Sequence, residues 1–343
     1  MTLFLWVGFL ILILALLALD LGVLNRKAHV IKAKEALLWT AFWVFLSLIF
    51  NVVIYYMYQH HWLGIGEHVG GEVSGGDAAL KFFTGYLIEK SLSLDNIFVI
   101  ALIFSYFKVA AMYQHRVLFW GILGALIMRG IMILAGVALI QKFIWMVYVF
   151  GGMLIITSIK MLTTRHDKLE PEKNPLVKFT RRLYPVSPKF EGKHFFTRIG
   201  GKRAITPLFL VLLVIESTDV LFAIDSIPAI FAITYDPFIV FTSNVFAILG
   251  LRSLYFALAA VIEKFKYVKF SLMIILAYVG IKMILTYHYK IPTYISLIVI
   301  CVLLVVGILA SIYGSKGKRA SLEGPSLVSK FDVQNKKSDV DRD

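Results

Sequence analysis

Two stretches of the sequence place carboxylates inside apolar runs. The stretches share one pattern: an acid, five intervening residues, a second acid and a polar residue. The aligned pairs are Glu89 with Asp219, Asp95 with Asp225, and Asn96 with Ser226. A charged side chain at the centre of an apolar helix costs about 3 kcal/mol in a bilayer, and such residues usually mark ion pathways. Carboxylate and amide oxygens in this pattern could hold a hard cation or carry protons.

The composition is that of a chain embedded in a bilayer. Of 343 residues, 59% are hydrophobic and 16% are charged, and the mean hydropathy is +0.81, far from the usual composition of soluble domains. The single cysteine, Cys301, excludes a disulfide framework and a thiolate metal cluster. Because the basic residues lie mainly between apolar runs, the net charge of +14 indicates membrane topology and not nucleic-acid binding.

Apolar runs predict about nine transmembrane helices, since about 20 apolar residues cross a hydrocarbon core of roughly 30 Å. The predicted spans are residues 3–24, 36–58, 79–105, 116–140, 143–163, 204–233, 238–262, 268–287 and 291–313. No cleavage pattern follows the first run, so we expect a retained helix and not a signal peptide. The fold class is therefore an all-α polytopic membrane protein. Its transmembrane domain covers residues 1–313, and the polar tail 314–343 is predicted to be disordered.

Lys and Arg are distributed unevenly over the two sides of the membrane. Of 35 such residues, 27 lie in alternate loops and the C-terminal tail on one side. The other side has three, and the remaining five lie within spans. Basic loops stay in the cytoplasm, so the N-terminus is predicted outside and the C-terminus inside.

Two longer polar segments connect the spans. The outside loop 60–77 holds three His and three acids among glycines. It is interpreted as a solvated connection, with capture of a divalent cation as the alternative. The inside loop 164–203 holds four Pro and eleven basic residues. It is interpreted as a cytoplasmic linker, with contact to anionic lipid or regulation of a gate as the alternative.

The similarity of the two halves continues beyond the acidic stretches. Each stretch is followed by an arginine in the next span and a lysine in the span after. The pairs are Arg129 with Arg252, and Lys160 with Lys282. Spans three to five, about 79–163, therefore repeat as spans six to eight, about 204–287. Since each unit has an odd number of helices, the second copy must be inverted, and 3+3 inverted repeats with a midplane site are typical of transporters.

Helical geometry puts the polar residues of each stretch on two faces. At 100° per residue, Glu89 and Asn96 share a face, whereas Asp95 points about 120° away. The second stretch repeats this division, with Asp219 and Asp225 on different faces. A helix with acids on two sides cannot face lipid, so we expect both helices to be buried centrally.

The donor atoms indicate the class of ion. No His or Cys stands beside these groups, and oxygen donors favour Mn²⁺, Mg²⁺ or Ca²⁺ over Zn²⁺ or Cu⁺. The predicted metal-binding residues are Asp20, Glu89, Asp95, Asn96, Asp219, Asp225 and Ser226. The predicted charge-compensating residues are Arg129, Lys160, Arg252 and Lys282. The alternative is that these acids and bases, with Lys90, form buried ion pairs that only hold helices together. Glu216 has no counterpart in the first copy and suits either role.

Four strings of the sequence carry a resemblance to a known family. They are Glu89-Lys90-Ser91-Leu92-Ser93-Leu94-Asp95-Asn96, Asp219-Val220-Leu221-Phe222-Ala223-Ile224-Asp225-Ser226-Ile227-Pro228-Ala229-Ile230, Asn244-Val245-Phe246-Ala247-Ile248-Leu249-Gly250-Leu251-Arg252-Ser253, and Leu19-Asp20-Leu21-Gly22-Val23. Over residues 5–312 the chain resembles the TerC family, in particular its Alx-like members, within the LysE transporter superfamily. The resemblance implies a bacterial inner-membrane protein that exports Mn²⁺. It also implies that the metal path contains Asp20, Glu89, Asp95, Asp219 and Asp225.

These observations together predict a secondary transporter and not an enzyme. We expect it to move Mn²⁺ out of the cytoplasm through a midplane carboxylate site, without a cofactor and within the lipid bilayer. Protons are the expected counter-ion, because the chain has no Gly-rich phosphate loop and clustered carboxylates can exchange a cation for H⁺. The alternatives are a Ca²⁺ or broad divalent cation/H⁺ exchanger and a non-transporting component of metal or tellurite stress resistance. An intramembrane aspartyl protease is disfavoured, since Asp225 lacks a Gly-x-Gly-Asp context.

Reporter fusions test the predicted orientation. A reporter fused after Lys178 should be active as a cytoplasmic marker, and one inserted at Gly75 should be active outside, because basic loops are retained in the cytoplasm. The measurement is the activity of alkaline phosphatase and of a fluorescent protein at each position in intact cells. The reverse pair of results would contradict the orientation and the inverted repeat together.

Overall fold

A computed structural model describes residues 2–22, 33–66, 73–163, 174–258 and 268–322, with side chains for 3–19, 34–66, 73–163, 174–258 and 268–313. The helices in these ranges are α1 Thr2–Gly22, α2 Ala33–Gln59, α3 Gly75–Tyr106, α4 Ala111–Lys142, α5 Met146–Thr163, α6 Pro175–Leu183, α7 Pro207–Phe231, α8 Pro237–Ile248, α9 Leu251–Leu258, α10 Val268–Leu285 and α11 Thr293–Leu322. A 3₁₀ turn covers Trp62–Gly64, and the strands are β1 Phe196–Ile199 and β2 Lys202–Ile205. The all-α polytopic fold class is confirmed.

Seven segments of the described chain are long and apolar enough to cross a membrane. They are Lys34–Gln59, Ala111–Lys142, Met146–Thr163, Pro207–Phe231, Pro237–Leu258, Val268–Leu285 and Thr293–Tyr313. The apolar part of α1, Leu3–Leu19, is shorter. α3 has 32 residues, but its charged side chains lower its hydropathy. The nine predicted spans correspond to these seven segments together with α1 and α3.

The span predicted over 238–262 is divided at Gly250. α8 ends at Ile248, Gly250 has a φ of 78°, and α9 begins at Leu251. Only glycine adopts this backbone conformation without strain. A Cβ at Gly250 would also lie 2.7 Å from the Cβ of Trp43 on α2. The break therefore depends on glycine for both its backbone and its packing.

The segment interpreted as a linker contains secondary structure between α5 and α7. Asn174 caps α6 by accepting from the amide of Leu176 at 2.9 Å. β1 and β2 pair as an antiparallel hairpin through two glycines, Gly200 and Gly201, that both have positive φ. β2 ends at Ile205, so α7 begins at Pro207 and not at the predicted residue 204. We call residues 174–206 the hairpin unit; residues 164–173 of the predicted loop lie outside the described residues.

The core of the bundle is formed by α3 and α8, with part of α7. Every residue of α8 from Phe238 to Ile248 is buried, including the polar Thr242, Ser243 and Asn244. α3 packs against α2, α7 and α8, and α7 packs against α3, α4 and α5. Gly85, near the start of α3, lies against Ile230, near the end of α7. α3 and α7 are therefore antiparallel. α3 is central, as expected, but the expectation that α7 is also central is wrong: Leu221 and Ile224 are 64% and 38% exposed, because the acids of α7 point towards α4 and α5 and leave an apolar face on the outside of the bundle.

α5 and α10 pack with their backbones in contact. A Cβ on Gly151 of α5 would lie 3.0 Å from the carbonyl oxygen of Gly280 on α10. Conversely, a Cβ on Gly280 would lie 2.9 Å from the carbonyl oxygen of Gly151. Small residues at such a crossing allow two membrane helices to approach closely and gain van der Waals contact.

Adjacent glycines on α5 provide a matched test of this contact. Gly151→Ala should destabilise the protein by about 1–3 kcal/mol, because the new methyl group overpacks the crossing. Gly152→Ala should not, since a Cβ at Gly152 has no atom within 4 Å and alanine favours a helix by about 1 kcal/mol over glycine. The measurement is the Tm of each purified variant in detergent. Equal Tm values for the two variants would contradict the contact.

Candidate functional site

Arg129 occupies the centre of the bundle and bonds to carboxylates from two other helices. Its Nη1 donates to Glu89 on α3. Its Nε and Nη2 donate to the two oxygens of Asp219 on α7, at 3.2 and 3.0 Å. Arg129 is 1% exposed and Glu89 is fully buried. This paired donation uses the fork geometry in which arginine binds carboxylates most strongly.

Two neutral side chains complete a hydrogen-bonded network around the guanidinium. Nη1 of Arg129 lies 3.3 Å from Ser226 Oγ and 3.3 Å from Asn244 Oδ1. Asn244 on α8 also donates from Nδ2 to Glu89 Oε2 at 3.1 Å. Charged groups can be buried in this way because their partners compensate the lost solvation. We call Glu89, Arg129, Asp219, Ser226 and Asn244 the central cluster.

The central cluster contains one positive charge and two carboxylates. With both acids ionised its formal charge is −1, so it has an excess of negative charge inside the bundle. The two acids differ in accessibility: the side chain of Glu89 is fully buried, whereas that of Asp219 is 16% exposed. Asp219 is therefore the acid that an ion could approach first.

A small cavity lies beside Asp219, between α3, α4, α7 and α9. Its volume is about 30 Å³, close to the volume of one water molecule in the liquid. Its polar lining consists of Asn96, Thr218, Asp219 and Arg252, and the rest is apolar. The cavity thus has oxygen atoms from two helices and room for one small ion or water.

The second acids of the two stretches lie away from the central cluster. Asp95 follows Glu89 by six residues and Asp225 follows Asp219 by six, a rise of about 9 Å along each helix. Because α3 and α7 are antiparallel, Asp95 and Asp225 are displaced towards opposite ends of the bundle. Asp225 accepts a hydrogen bond from Thr157 Oγ1 on α5 at 2.8 Å.

The predicted metal-binding residues are accounted for as follows. The structure brings together Glu89, Asp219 and Ser226, and it places Asn96 on the cavity beside Asp219. Asp225 lies apart from them, and the side chain of Asp20 falls outside the described residues. Over the described part of the chain, no three His, Cys, Asp or Glu residues form a group that could hold a metal ion. The described acids are therefore spaced along the helices and do not form one compact cluster.

The predicted charge-compensating residues divide in the same way. Arg129 pairs with Glu89 and Asp219, and Lys160 is close enough to act electrostatically on Asp225. Arg252 lines the cavity. Lys282 differs from the prediction: its ammonium group donates to Ser296 Oγ on α11 at 2.8 Å. The reason is that its part of α10 faces α11 and not the acid-bearing helix α7.

Within the described parts of the chain, Lys90 bonds to backbone carbonyls and not to the acid considered for it. Its Nζ lies 3.2 Å from the carbonyl oxygen of Ala247 and 3.5 Å from that of Leu249. These carbonyls are at the end of α8, where the break at Gly250 leaves them without helical partners. Lys90 therefore stabilises a helix C-terminus, in accord with the negative end of the helix dipole.

Sequence reasoning missed three residues in and near the site, which are Asn244, Thr157 and Gly124. Asn244 binds the central cluster, and Thr157 binds Asp225. The signal for both was a polar residue within an apolar span, but many such residues only bond to their own helix. The carboxyl group of Glu216 packs directly on Gly124 of α4, in place of a side chain. That Gly124 makes room for Glu216 could have been recognised only if the packing of α4 against α7 had been known.

Comparison with known proteins agrees with this architecture. The profile of the "Integral membrane protein TerC family" matches residues 74–319, which is more than half of the chain. The chain belongs to the TerC family. A Myxococcus xanthus relative described as an uncharacterized membrane protein is 52% identical over 312 residues, covering 91% of this chain and 93% of that protein. No solved structure matches the chain.

Two further relatives extend the comparison. An uncharacterized membrane protein of Rickettsia bellii is 45% identical over 307 residues, covering 90% of this chain and 96% of that protein. A protein of Escherichia coli strain K12 is 46% identical over 303 residues, covering 88% of this chain and 92% of that protein. It is described as "Putative membrane-bound redox modulator Alx".

The ion pairs of Arg129 predict a double-mutant effect on stability. Arg129→Met should cost about 3–5 kcal/mol, because it leaves Glu89 and Asp219 without their shared partner. Adding Glu89→Gln should recover part of that loss, since the most buried charge is then removed. The measurement is the Tm of each purified variant and of the double variant.

A control variant removes a positive charge from the same helix. Lys142 is exposed at the end of α4, and Lys142→Gln should change the Tm little. A double variant that is no more stable than Arg129→Met would contradict the proposed pairing with Glu89.

Proposed function

We propose that this TerC-family protein is a secondary transporter, and not an enzyme, that exports Mn²⁺ from the cytoplasm in exchange for protons. The single observation that carries the proposal is the convergence of Glu89 and Asp219 on Arg129 at the centre of the bundle. A bilayer protein retains buried charges of this kind mainly where ions or protons pass. The proposed location is the bacterial inner membrane, with the N-terminus outside and the C-terminus in the cytoplasm.

The arrangement of helices supports an inverted repeat in which α3 corresponds to α7, α4 to α8 with α9, and α5 to α10. α3 packs against α8, and α7 packs against α4 in the same way. α5 packs against its own counterpart α10. Under this relation Glu89 and Asp219 are equivalent residues that bind one arginine. Asp95 and Asp225 are equivalent acids at opposite ends, as a site reached alternately from two sides requires.

Charge balance suggests how exchange proceeds. Mn²⁺ and Arg129 together carry three positive charges, which balance Glu89, Asp219 and one of the flanking acids, Asp95 or Asp225. Two protons and Arg129 balance the same three carboxylates. One Mn²⁺ can therefore be exchanged for two protons without changing the net charge of the site, to which Lys160 and Arg252 contribute equally in both states.

Asp219 is the residue that we assign to the exchange. It is the more accessible acid of the central cluster. Its carboxylate binds Arg129, and its side chain lines the cavity. A cation in the cavity competes with Arg129 for its carboxylate. Asn96 and Thr218 offer further oxygen atoms beside it, a donor set that suits Mn²⁺, Mg²⁺ and Ca²⁺. Glu89 keeps Arg129 neutralised while Asp219 changes partner.

The redox role named for the Escherichia coli relative has less support in this chain. Thiol–disulfide exchange within one chain requires two cysteines, and this chain has one, Cys301. Export of a redox-active metal would connect a membrane transporter to redox balance without any thiol chemistry in the protein itself.

Flux measurements test the proposed function. Inverted membrane vesicles should accumulate ⁵⁴Mn²⁺ when a pH gradient, acidic inside, is imposed, and should not do so when it is collapsed. Excess Ca²⁺ or Mg²⁺ should compete for uptake, because the oxygen donors of the site also suit these ions. Uptake of ⁴⁵Ca²⁺ in preference to ⁵⁴Mn²⁺ would favour the broad divalent exchanger, and no gradient-dependent flux of any divalent cation would favour the non-transporting alternative.

Neutral isosteres of the flanking acids test the site. Asp225→Asn and Asp95→Asn should each reduce ⁵⁴Mn²⁺ flux to background, because the amide keeps the size of the side chain but neither binds the cation as tightly nor accepts a proton. Both proteins should still insert, since an amide costs less to bury than a carboxylate.

The control is Glu216→Gln, which lacks a repeat equivalent and should retain more flux. Expression of all three variants is measured in the same membranes. Normal flux in both Asp→Asn variants would contradict the proposed mechanism, and loss of the proteins would indicate that the acids are structural.

A further inference from the structure

The hairpin unit contains a groove outside the proposed ion path. The groove has a volume of about 720 Å³ and lies between α6, the β hairpin and the start of α7. Its lining residues are Phe179, Thr180, Leu183, Tyr184, Phe196, Thr197, Arg198, Arg203, Ala204, Ile205, Phe209 and Leu213. This is the size of a site for a substantial organic ligand.

The floor of the groove is apolar and open. Phe179, Leu183 and Phe196 are each about 60% exposed, a large apolar area to leave facing water. Phe209 and Leu213 continue the floor onto the first two turns of α7. Because α7 is a membrane span that begins at Pro207, the groove lies at the boundary between water and lipid.

Two arginines stand at the groove in a like-charged pair. Arg198 on β1 and Arg203 on β2 are direct cross-strand partners, so their Cβ atoms are about 5 Å apart. Both are exposed, and neither guanidinium group has a hydrogen bond or ion pair with a side chain among the described residues. Like charges directly opposite each other destabilise a hairpin, but they suit a shared anion, since guanidinium groups bind phosphate through paired hydrogen bonds.

The charge around the groove is mainly positive. Residues 174–206 contain eight Lys and Arg and one acid, Glu191. The carboxylate of Glu191 is engaged by Thr197 and Ser187. By the distribution of basic residues, this side of the membrane is the cytoplasmic side, where the leaflet carries anionic lipid that attracts basic segments.

We propose that this groove binds an anionic phospholipid of the cytoplasmic leaflet. Arg198 and Arg203 bind the phosphate group, and one acyl chain lies along Phe179, Leu183 and Phe196 towards Phe209 and Leu213. The bound phosphate relieves the repulsion between the arginines, and the acyl chain covers the exposed apolar floor. The site does not depend on the proposed transport of Mn²⁺.

The hairpin unit is also connected to the helix that carries Asp219. Asn174, which caps α6, donates from Nδ2 to Ser217 Oγ on α7 at 2.6 Å. Ser217 precedes Asp219 by two residues. Lipid bound in the groove therefore stabilises α6 in the position that holds this part of α7.

Lipid binding to the purified full-length protein in detergent tests the proposal. Native mass spectrometry measures its affinity for dioleoyl phosphatidylglycerol, with dioleoyl phosphatidylcholine as the uncharged comparison. The variant combines Arg198→Gln with Arg203→Gln. It should bind phosphatidylglycerol at least about tenfold more weakly, because two basic contacts to the phosphate are lost.

The matched control combines Arg182→Gln with Lys202→Gln, which removes the same charge from the hairpin unit outside the groove. It should retain nearly the affinity of the unaltered protein. Phe179→Ser, at an exposed position that does not affect the core, should weaken binding of the long-chain lipid. Equal losses in both charge variants would overturn the site in favour of diffuse attraction. Full displacement of the lipid by inorganic phosphate would overturn the assignment of a phospholipid.

Discussion

The ion pairs between Arg129 and two carboxylates are the interaction on which the rest of the structure depends. A buried guanidinium and a buried Glu89 can be tolerated in a bilayer only when each satisfies the other. This requirement brings α3, α4 and α7 to one point and fixes their rotation. Asn244 joins the same network from α8, a short helix that is buried along its whole length. The polar centre thereby determines the packing of the apolar helices around it.

Hydropathy and charge were sufficient to predict the fold class and most helices, because a bilayer admits few alternatives to apolar helices of fixed length. The 100° rule was sufficient to separate Asp219 from Asp225 on α7, and these two acids contact α4 and α5 respectively. It could not predict which helices would meet, so it did not find Asn244 or Thr157. The partners of Lys282 and Lys90 were mispredicted for the same reason. A lysine in a membrane span can bond to a hydroxyl or a free carbonyl as well as to an acid. The break at Gly250 and the hairpin unit depend on local backbone conformation. The hydropathy of a whole segment does not show this conformation.

The spacing of the acids connects the geometry to the proposed transport. A compact site of three carboxylates would bind a divalent cation tightly and release it slowly, whereas acids separated by about 9 Å along antiparallel helices offer successive weak positions. Conduction through a membrane generally needs binding that is strong enough for entry and weak enough for release. In the proposed mechanism, Arg129 competes with the cation for Asp219, and this competition favours release of the cation.

The glycine crossing of α5 and α10 has a mechanical consequence. Two helices whose backbones touch at Gly151 and Gly280 lose that contact if they slide past each other, which favours movement of the two as one body. Asp225 is tied to this body through Thr157, whereas Asp219 on the same helix is tied to Arg129 on α4. α7 is thus bonded to α4 at Asp219 and, six residues later, to α5 at Asp225. Motion of α4 relative to α5 would therefore twist the part of α7 between Asp219 and Asp225.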